Sequence, residues 1–311
     1  MNGDGRKDIL ISSFSGVPQW VESMESGWGE PADVLDQEGD AVVISDFWNR
    51  DTDEWDETDR SGTKGHCSSV AAVDWDDDGD IDLLLGEYKE GQLHVRLNEG
   101  SAKETRFATT NFPIKVGQDL VSFEGGVGAP RVVDWNGDGL FDIVVGTIRG
   151  GVFLLQNTGV KGSPKFEQLA TLIEPLPGAS GAKQAKRVEF KNGKPIGPGS
   201  SFHIEPVDYD GDGDLDLLVG ARSEWLTAPI TEPTEEELEQ IALLKEQMDA
   251  AWDKFREYKA TAETKEEQKE LATTEKYRDL LGEYRRLRSE RYKLTRDPTE
   301  LGDLVWLFRR K

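Results

Sequence analysis

The stretch Asp74–Gly86, DWDDDGDIDLLLG, places six carboxylates within nine residues and then becomes apolar. Related stretches follow as DWNGDGLFDIVVG from Asp134 and as DYDGDGDLDLLVG from Asp208. The chain opens on MNGDGRKDILIS, which lacks only the first residue of the pattern. The third acidic position of each loop recurs every 60 to 74 residues, at Asp4, Asp78, Asp138 and Asp212. A fold built from repeated units is therefore predicted.

The similarity between the second and third units extends beyond the acidic loop. The segment GEYKEGQLHVRLNEGSAKETRF of the second unit aligns with GTIRGGVFLLQNTGVKGSPKF of the third, with one extra residue in the first. In both, an Asn-x-Gly turn precedes a phenylalanine by the same count, from Asn98 to Phe107 and from Asn157 to Phe166. These matches predict the same strand arrangement in both units.

Each unit has the pattern of short β-strands. SVAAVDW and IDLLLGEY flank the acidic loop as β-branched or aliphatic runs, QLHVRLN alternates apolar and polar residues, and FATTNFPIKV provides a fourth run. Four short strands per unit, joined by glycine-rich turns, predict an all-β fold, a β-propeller of four-stranded blades. About four blades are visible, and we expect them to be part of a larger ring. A parallel β-helix is the alternative, although its repeats are usually much shorter.

One segment near the C-terminus has a helical pattern. From Thr234 to about Leu294 the sequence is rich in Glu, Lys, Arg and Leu, and apolar residues recur at helical spacing in two stretches. The first stretch begins at a capping box, Thr234 with Glu237, and the polar run TAETKEEQKE connects the two. We predict propeller blades over residues 1–232, an inserted helical hairpin over 233–296, and a closing strand over 297–311. The hairpin either packs against the propeller or serves as a partner-binding or dimerising arm.

The composition indicates a folded and strongly acidic protein. Acidic residues outnumber basic ones 61 to 37 among 311 residues, and 9 Trp and 12 Phe are available for a core. The formal net charge of −24 repels nucleic acid and anionic lipid, so we expect neither as a partner. No apolar run approaches the ~20 residues that cross a bilayer, so no membrane span is predicted. No signal peptide is visible, and we expect a truncated N-terminus because the chain begins inside a motif.

The acidic loops have the donor pattern of a cation site. Numbered from the first Asp, positions 1, 3, 5 and 9 carry carboxylates or amides, position 6 is Gly for a sharp turn, and position 7 varies, as expected for a backbone carbonyl donor. A hard cation with 6–8 oxygen ligands at ~2.3–2.6 Å fits such a loop, and Ca²⁺ is the default choice. The predicted donors are Asn2, Asp4, Arg6 and Asp8 in loop one; Asp74, Asp76, Asp78, Asp80 and Asp82 in loop two; Asp134, Asn136, Asp138, Leu140 and Asp142 in loop three; and Asp208, Asp210, Asp212, Asp214 and Asp216 in loop four.

An EF-hand, a different metal and a plain turn each fit the acidic loops less well. An EF-hand would place a bidentate Glu at position 12, which here is Ile11, Leu85, Val145 or Val219. Mg²⁺ favours fewer protein ligands, and Zn²⁺ favours His or Cys. A single Asp/Gly-rich stretch could be an ordinary solvated turn, but four copies with matching donor positions argue against that. Asp77, which replaces a Gly of the other copies, is expected to point to solvent.

DWNGDGLFDIVVG and its copies resemble the FG-GAP/VCBS repeats that build Ca²⁺-binding β-propellers, including the integrin α-subunit head. The resemblance covers roughly residues 1–230 and the final strand, and leaves the helical segment uncovered. It implies a blade with a Ca²⁺ loop between two strands, three to four Ca²⁺ ions in all, and an extracellular or periplasmic setting. Loop one departs from the family pattern because it lacks position 1.

The function favoured by the sequence is a non-enzymatic recognition or scaffold module with structural Ca²⁺. Its candidate ligand surface is the acidic and aromatic loop that carries Trp48 and Trp55, whose rings could stack on a sugar or pack under the loop itself. The alternative is a carbohydrate-active enzyme, a polysaccharide lyase or hydrolase on a propeller scaffold. The chain has three histidines, His66, His94 and His203, and one cysteine, Cys67, and the adjacent pair His66–Cys67 suits neither a zinc site nor a catalytic dyad.

Overall fold

The chain divides into two compact units. The first comprises Met1–Trp48, Trp55–Trp225 and Leu301–Lys311, and the second comprises Asn49–Glu54 and Leu226–Glu300. The computed structural model describes residues 1–12, 17–44, 47–49, 54–56, 69–87, 90–123, 126–175, 190–191, 194–226, 232–262, 264–295 and 299–310. The domain limits predicted at 232 and 296 stay predictions.

The first unit begins with a three-stranded antiparallel sheet, here called sheet one. It has the order β1-β2-β5 and follows loop one directly. A separate hairpin of β3 and β4 comes between β2 and β5 along the chain. Strand β6 pairs with β7. The bounds are β1 Ile9–Ile11, β2 Gln19–Val21, β3 Ser23–Met24, β4 Gly27–Trp28, β5 Ala32–Asp33, β6 Phe47–Asn49 and β7 Glu54–Asp56.

Sheet two contains the four strands predicted for a complete unit. Its order is β11-β10-β9-β8, so consecutive strands are neighbours, and loop two joins β8 to β9. A further pair, β12 with β13, follows. The bounds are β8 Ser69–Val73, β9 Asp82–Gly86, β10 Leu93–Arg96, β11 Phe112–Pro113, β12 Lys115–Val116 and β13 Asp119–Leu120.

Sheet three repeats this arrangement, and sheet four has three strands among the described residues. The orders are β14-β15-β16-β17 and β20-β21-β22, with a separate pair of β18 and β19 between them. The bounds are β14 Val127–Val133, β15 Asp142–Thr147, β16 Val152–Asn157, β17 Phe166–Ile173, β18 Phe190–Lys191, β19 Lys194–Pro195, β20 Ser200–Val207, β21 Asp216–Leu226 and β22 Thr299–Phe308. A mostly β fold of antiparallel sheets is thus confirmed.

The strands that follow loops two and three are apolar on both faces because a sheet packs on either side of each strand. In β9, Leu83 and Leu85 belong to a core shared with sheet one, whereas Leu84 joins a core shared with sheet three. In β15, Ile143 belongs to the core shared with sheet two, whereas Val144 belongs to a core shared with sheet four. These side chains are fully buried. The sheets therefore pack face to face in chain order, as the continuous apolar runs after the loops require.

The second unit contains three helices, α1 Glu235–Lys259, α2 Lys265–Ala272 and α3 Glu275–Thr295. The capping box at Thr234 is present, with Glu237 accepting from the Thr234 backbone N–H. Helices α1 and α3 share a core that includes Leu244, Ala251 and Leu287. The polar run predicted to connect the two helices overlaps α2, which starts at a second capping box formed by Thr264 and Glu267. Among the described residues, no helix is long and apolar enough to span a membrane.

Candidate metal centre

The first carboxylate of each complete loop organises the turn through backbone N–H groups. Asp74 accepts from the N–H of Asp78 at 3.1 Å and from that of Gly79 at 3.2 Å. Asp134 accepts from the N–H of Gly139 at 2.9 Å. Asp208 accepts from the N–H of Gly213 at 3.2 Å, so the turn closes in the same way in three places.

The position-5 carboxylate closes the second half of the turn. It accepts the N–H of position 7 in every loop, at 2.8 Å in loop one, 3.0 Å in loop two, 2.8 Å in loop three and 3.0 Å in loop four. These bonds fix the backbone whose carbonyl at position 7 is the predicted donor. The turn is therefore set by its own carboxylates.

Positions 4 and 6 of the loops have left-handed backbone. In loop three, Gly137 has φ +74° and Gly139 has φ +87°. Asp77 takes the left-handed conformation at position 4 of loop two with φ 61°, and its side chain is exposed, as expected. Asp tolerates this conformation better than most residues because its short polar side chain bonds locally.

Two of the loops bring three carboxylates together. One oxygen from each of Asp74, Asp76 and Asp78 lies within 4.8 Å of the others, and the same holds for Asp208, Asp210 and Asp212. In loop three the equivalent contact is between an amide and a carboxylate, with Asn136 Nδ2 donating to Asp138 Oδ2 at 2.8 Å. Loops two and four therefore have the densest negative charge.

The position-9 carboxylate connects three strands of its sheet. Asp82 is fully buried, and it accepts the N–H of Trp75 at 2.8 Å and that of Asn98 at 2.7 Å. Asp142 does the same with Trp135 at 3.0 Å and Asn157 at 2.7 Å. Asp216 accepts from Tyr209 at 3.2 Å and Arg310 at 2.9 Å. Each acidic loop is thus joined to the end of the third strand in its sheet.

Loop one keeps the position-9 arrangement but differs elsewhere. Asp8 accepts from the Met1 amino group at 2.8 Å and from the N–H of Ser23 at 2.9 Å. Burial would raise the pKa of Asp8, but the Met1 ammonium and the backbone N–H groups outweigh it and lower that pKa. Asp4 pairs with the Arg6 guanidinium at 3.0 Å, so its carboxylate already has a cationic partner.

Comparison with known families gives a match to the FG-GAP-like repeat over residues 74–145 and 134–219. Residues 74–219 belong to the FG-GAP-like repeat family. Comparison with curated proteins gives no significant match. The matched ranges each run from one acidic loop to the strand after the next, so the acidic loops mark the repeat.

The two FG-GAP-like repeats also share the turn after their third strand. Asn98 Oδ1 accepts the N–H groups of Gly100 at 3.1 Å and Arg106 at 2.7 Å. Asn157 Oδ1 accepts those of Gly159 at 2.9 Å and Lys165 at 3.1 Å. The phenylalanine that ends each turn is buried. The alignment of the two units around Asn98 and Asn157 is confirmed.

Asp80, at position 7 of loop two, has a side chain that the sequence did not single out. It is only 4% exposed, and its Oδ1 has no hydrogen-bond partner. Burial, followed by the charges of Asp78, Asp82 and Asp76, raises its pKa to about 6. The sequence assigned Asp80 a role through its backbone carbonyl alone, because the side chains at this position differ between the loops.

The residues of loops two and four fit a hard cation. Their donors are all oxygens, and bringing three carboxylates together is unfavourable unless a positive charge offsets their repulsion. Asp80 Oδ1 also favours a cation, because a buried carboxylate oxygen without a hydrogen-bond donor is costly. Beyond these geometric fits, the donor assignment in all four loops stays a prediction.

The other residues singled out in the sequence are not part of this centre. His94 is half-buried with Nδ1 unpartnered, and burial lowers its pKa. His203 is exposed on β20. Trp48 lies on β6 and Trp55 on β7, and the structure does not describe the side chains of these two strands. The pair His66–Cys67 lies outside the described residues.

A cleft of about 450 Å³ lies beside loop two, between sheets two and three. The Trp75 ring at position 2 of the loop contributes to it and packs at a tilt against the Phe141 ring, with the ring centroids 5.4 Å apart. This cleft could not be predicted from the sequence, because it depends on how sheets two and three meet. Its lining includes Trp75, Val95, Phe112, Lys115, Pro164 and Lys165.

Proposed function

We propose that this chain contributes blades to a Ca²⁺-stabilised β-propeller that serves as a recognition or scaffold module. The observation that carries the proposal is the pair of backbone hydrogen bonds that each position-9 carboxylate accepts. The pair is repeated at Asp82, Asp142 and Asp216, and it connects each acidic loop to the end of the third strand in its sheet. The face-to-face packing of the sheets in chain order supports a propeller arrangement. A cation in the loop would then stabilise the strand connection on which each blade depends.

Ca²⁺ is the proposed ion because the donor set is made of oxygens on a flexible turn. Loops two and four each gather three carboxylates, and loop three offers two carboxylates and an amide. Ca²⁺ accepts 6–8 such ligands with loose geometry, whereas Mg²⁺ demands a near-ideal octahedron. We propose three to four ions, and loop one is the weakest candidate because Arg6 pairs with Asp4.

An extracellular or periplasmic setting follows from the kind of site proposed. The loops are short surface turns whose position-1, 3 and 5 side chains are mostly exposed. Ca²⁺ sites of extracellular modules bind with Kd values of about 10⁻⁴–10⁻³ M and fill only where Ca²⁺ is abundant. Two surfaces are proposed for a ligand: the loop with Trp48 and Trp55, and the cleft beside Trp75.

Thermal unfolding in the presence of a chelator tests the proposal. The protein is freed of metal with EDTA, and its melting temperature is measured alone, with excess CaCl₂ and with the same concentration of MgCl₂. Binding to the folded state alone stabilises by ~2.7 kcal/mol per site at a hundredfold excess over Kd, so Ca²⁺ should raise the melting temperature markedly and Mg²⁺ much less. Equal melting temperatures with EDTA and with CaCl₂ would overturn the calcium proposal.

A further inference from the structure

The side chain of Asp80 makes loop two different from the other loops. Its carboxylate is 4% exposed, and Oδ1 has no hydrogen-bond partner. The acidic cluster of Asp74, Asp76 and Asp78 precedes it directly in the same turn. The Asn98 side chain hydrogen-bonds the Asp80 carboxylate, but Oδ1 is left without a donor. A buried ionised oxygen without a donor is costly, and the N–H groups that the loop offers already go to Asp74, Asp78 and Asp82.

The residues at position 7 of the other loops have different surroundings. Asp214 has the same chemistry in loop four, but its side chain is 54% exposed and lies 3.7 Å from the Arg310 guanidinium. Leu140 in loop three has no oxygen in its side chain, and Arg6 in loop one pairs with Asp4. Of the four side chains at position 7, that of Asp80 is therefore both a carboxylate and buried.

Loop two is also covered by the neighbouring sheet. A Cβ added to Gly162 would lie 2.4 Å from the carbonyl oxygen of Asp76, so the turn before β17 lies directly against the loop. This contact covers the loop at the backbone of Asp76, where the side chains of Asp76 and Asp78 stay exposed, and the Asp80 side chain of the same loop is buried. Electrostatic attraction between carboxylates and a cation is stronger where water is excluded.

We propose that the Asp80 carboxylate is a direct side-chain ligand of the cation in loop two and that loop two is the tightest cation site of the chain. This inference rests on the proposed Ca²⁺ function. Loop two then provides carboxylates at positions 1, 3, 5, 7 and 9, and the affinity of such sites rises with the charge of their ligands and the rigidity of the turn. Loop two is expected to stay occupied at Ca²⁺ concentrations that empty loops three and four.

Calorimetric titration of the metal-free full chain with CaCl₂ tests this, with Asp214→Asn as the matched control for Asp80→Asn. We expect one site in the unsubstituted protein that is at least tenfold tighter than the rest. Asp80→Asn should weaken that site at least tenfold, whereas Asp214→Asn should leave it unchanged. Asp80→Leu, which copies position 7 of loop three, should act like Asp80→Asn.

The outcomes separate this inference from the proposed function. If Ca²⁺ binds but Asp80→Asn titrates like the unsubstituted protein, or weakens no site more than Asp214→Asn does, the role of Asp80 is overturned and the calcium function stands. If the unsubstituted protein binds no Ca²⁺, both are overturned. Unfolding of each variant in EDTA checks the fold. We expect Asp80→Asn to be at least as stable as the unsubstituted chain there, because it removes a buried negative charge that lies close to the carboxylates of Asp76, Asp78 and Asp82.

Discussion

At the scale of single residues, the acidic side chains of one loop have different environments and different consequences. The carboxylates at positions 1, 3 and 5 lie mostly at the surface, whereas Asp82, Asp142 and Asp216 are at most 2% exposed and accept backbone N–H groups from distant parts of the chain. The sequence predicted all of them equally as ligands. It could not reveal the position-9 bonds, because their donors lie up to 94 residues away.

Asp142→Asn tests the structural role of position 9. The amide nitrogen would face a backbone N–H where the carboxylate now accepts from Trp135 or Asn157, so one buried donor loses its acceptor. We expect the free energy of unfolding to fall by about 2–3 kcal/mol in EDTA, measured by urea denaturation. Asp138→Asn, at an exposed position of the same loop, should cost much less under these conditions. Equal losses would contradict the special role of Asp142.

Gly79→Ala tests the backbone at position 6. Gly79 has φ +90°, and a Cβ there would meet nothing within 4 Å, so the cost comes from backbone strain alone. We expect a loss of about 1–2 kcal/mol of unfolding free energy. Gly197→Ala is the control, because that residue also has open space but an ordinary φ, and it should be near neutral. An unchanged stability for Gly79→Ala would show that the loop turns differently.

At the scale of elements, hydrophobic patterning predicted the strands of sheets two and three and both long helices, but it missed α2. The apolar runs of β9 and β15 result from burial on both faces. Helix α2 was missed because KEEQKELA has few apolar residues, and its start depends on the capping box of Thr264 with Glu267. The contact that Arg96 of sheet two makes with Val43, which follows sheet one in the chain, was also missed, because Val43 accepts through its backbone carbonyl.

Arg96→Lys tests this contact between elements. The Arg96 guanidinium is 3% exposed and donates to Asn111 Oδ1 at 2.7 Å, to the Ala108 carbonyl at 2.7 Å and to the Val43 carbonyl at 3.1 Å. Lysine has a single ammonium that cannot reach this planar set, so we expect a loss of about 3 kcal/mol of unfolding free energy. Arg131→Lys changes an exposed ion pair with Glu205 and should cost at most about 1 kcal/mol. Similar losses in both variants would contradict the buried contact.

At the scale of the whole molecule, the net charge of −24 and the packing of four acidic loops make stability depend on what neutralises the carboxylates. The repeats and the acidic loops could be predicted from the sequence, because each is a local pattern that recurs. The burial of Asp80 and the cleft beside Trp75 could not, because both depend on how neighbouring sheets meet.

The pH dependence of the metal-free protein tests this electrostatic account. Burial and nearby carboxylates raise the pKa of Asp80 to about 6, so the folded protein binds a proton there more tightly than the unfolded chain does. The free energy of unfolding in EDTA should therefore rise as the pH falls from 7.5 through 6 toward ~4, by up to about 3 kcal/mol from this residue. Urea denaturation of Asp80→Asn should show a shallower rise. An identical slope in the variant would contradict the assignment.

The central claim, that the repeated acidic loops hold Ca²⁺, is tested most directly by counting ions. Native mass spectrometry of the metal-free chain, titrated with CaCl₂ and separately with MgCl₂, gives the number of ions bound to each folded molecule. We predict three to four Ca²⁺ ions, one fewer when Asp208 and Asp212 are both changed to Asn, and weaker binding of Mg²⁺. A chain that stays free of Ca²⁺ at millimolar concentrations, or whose ion count is unaffected by the loop-four substitutions, would contradict it.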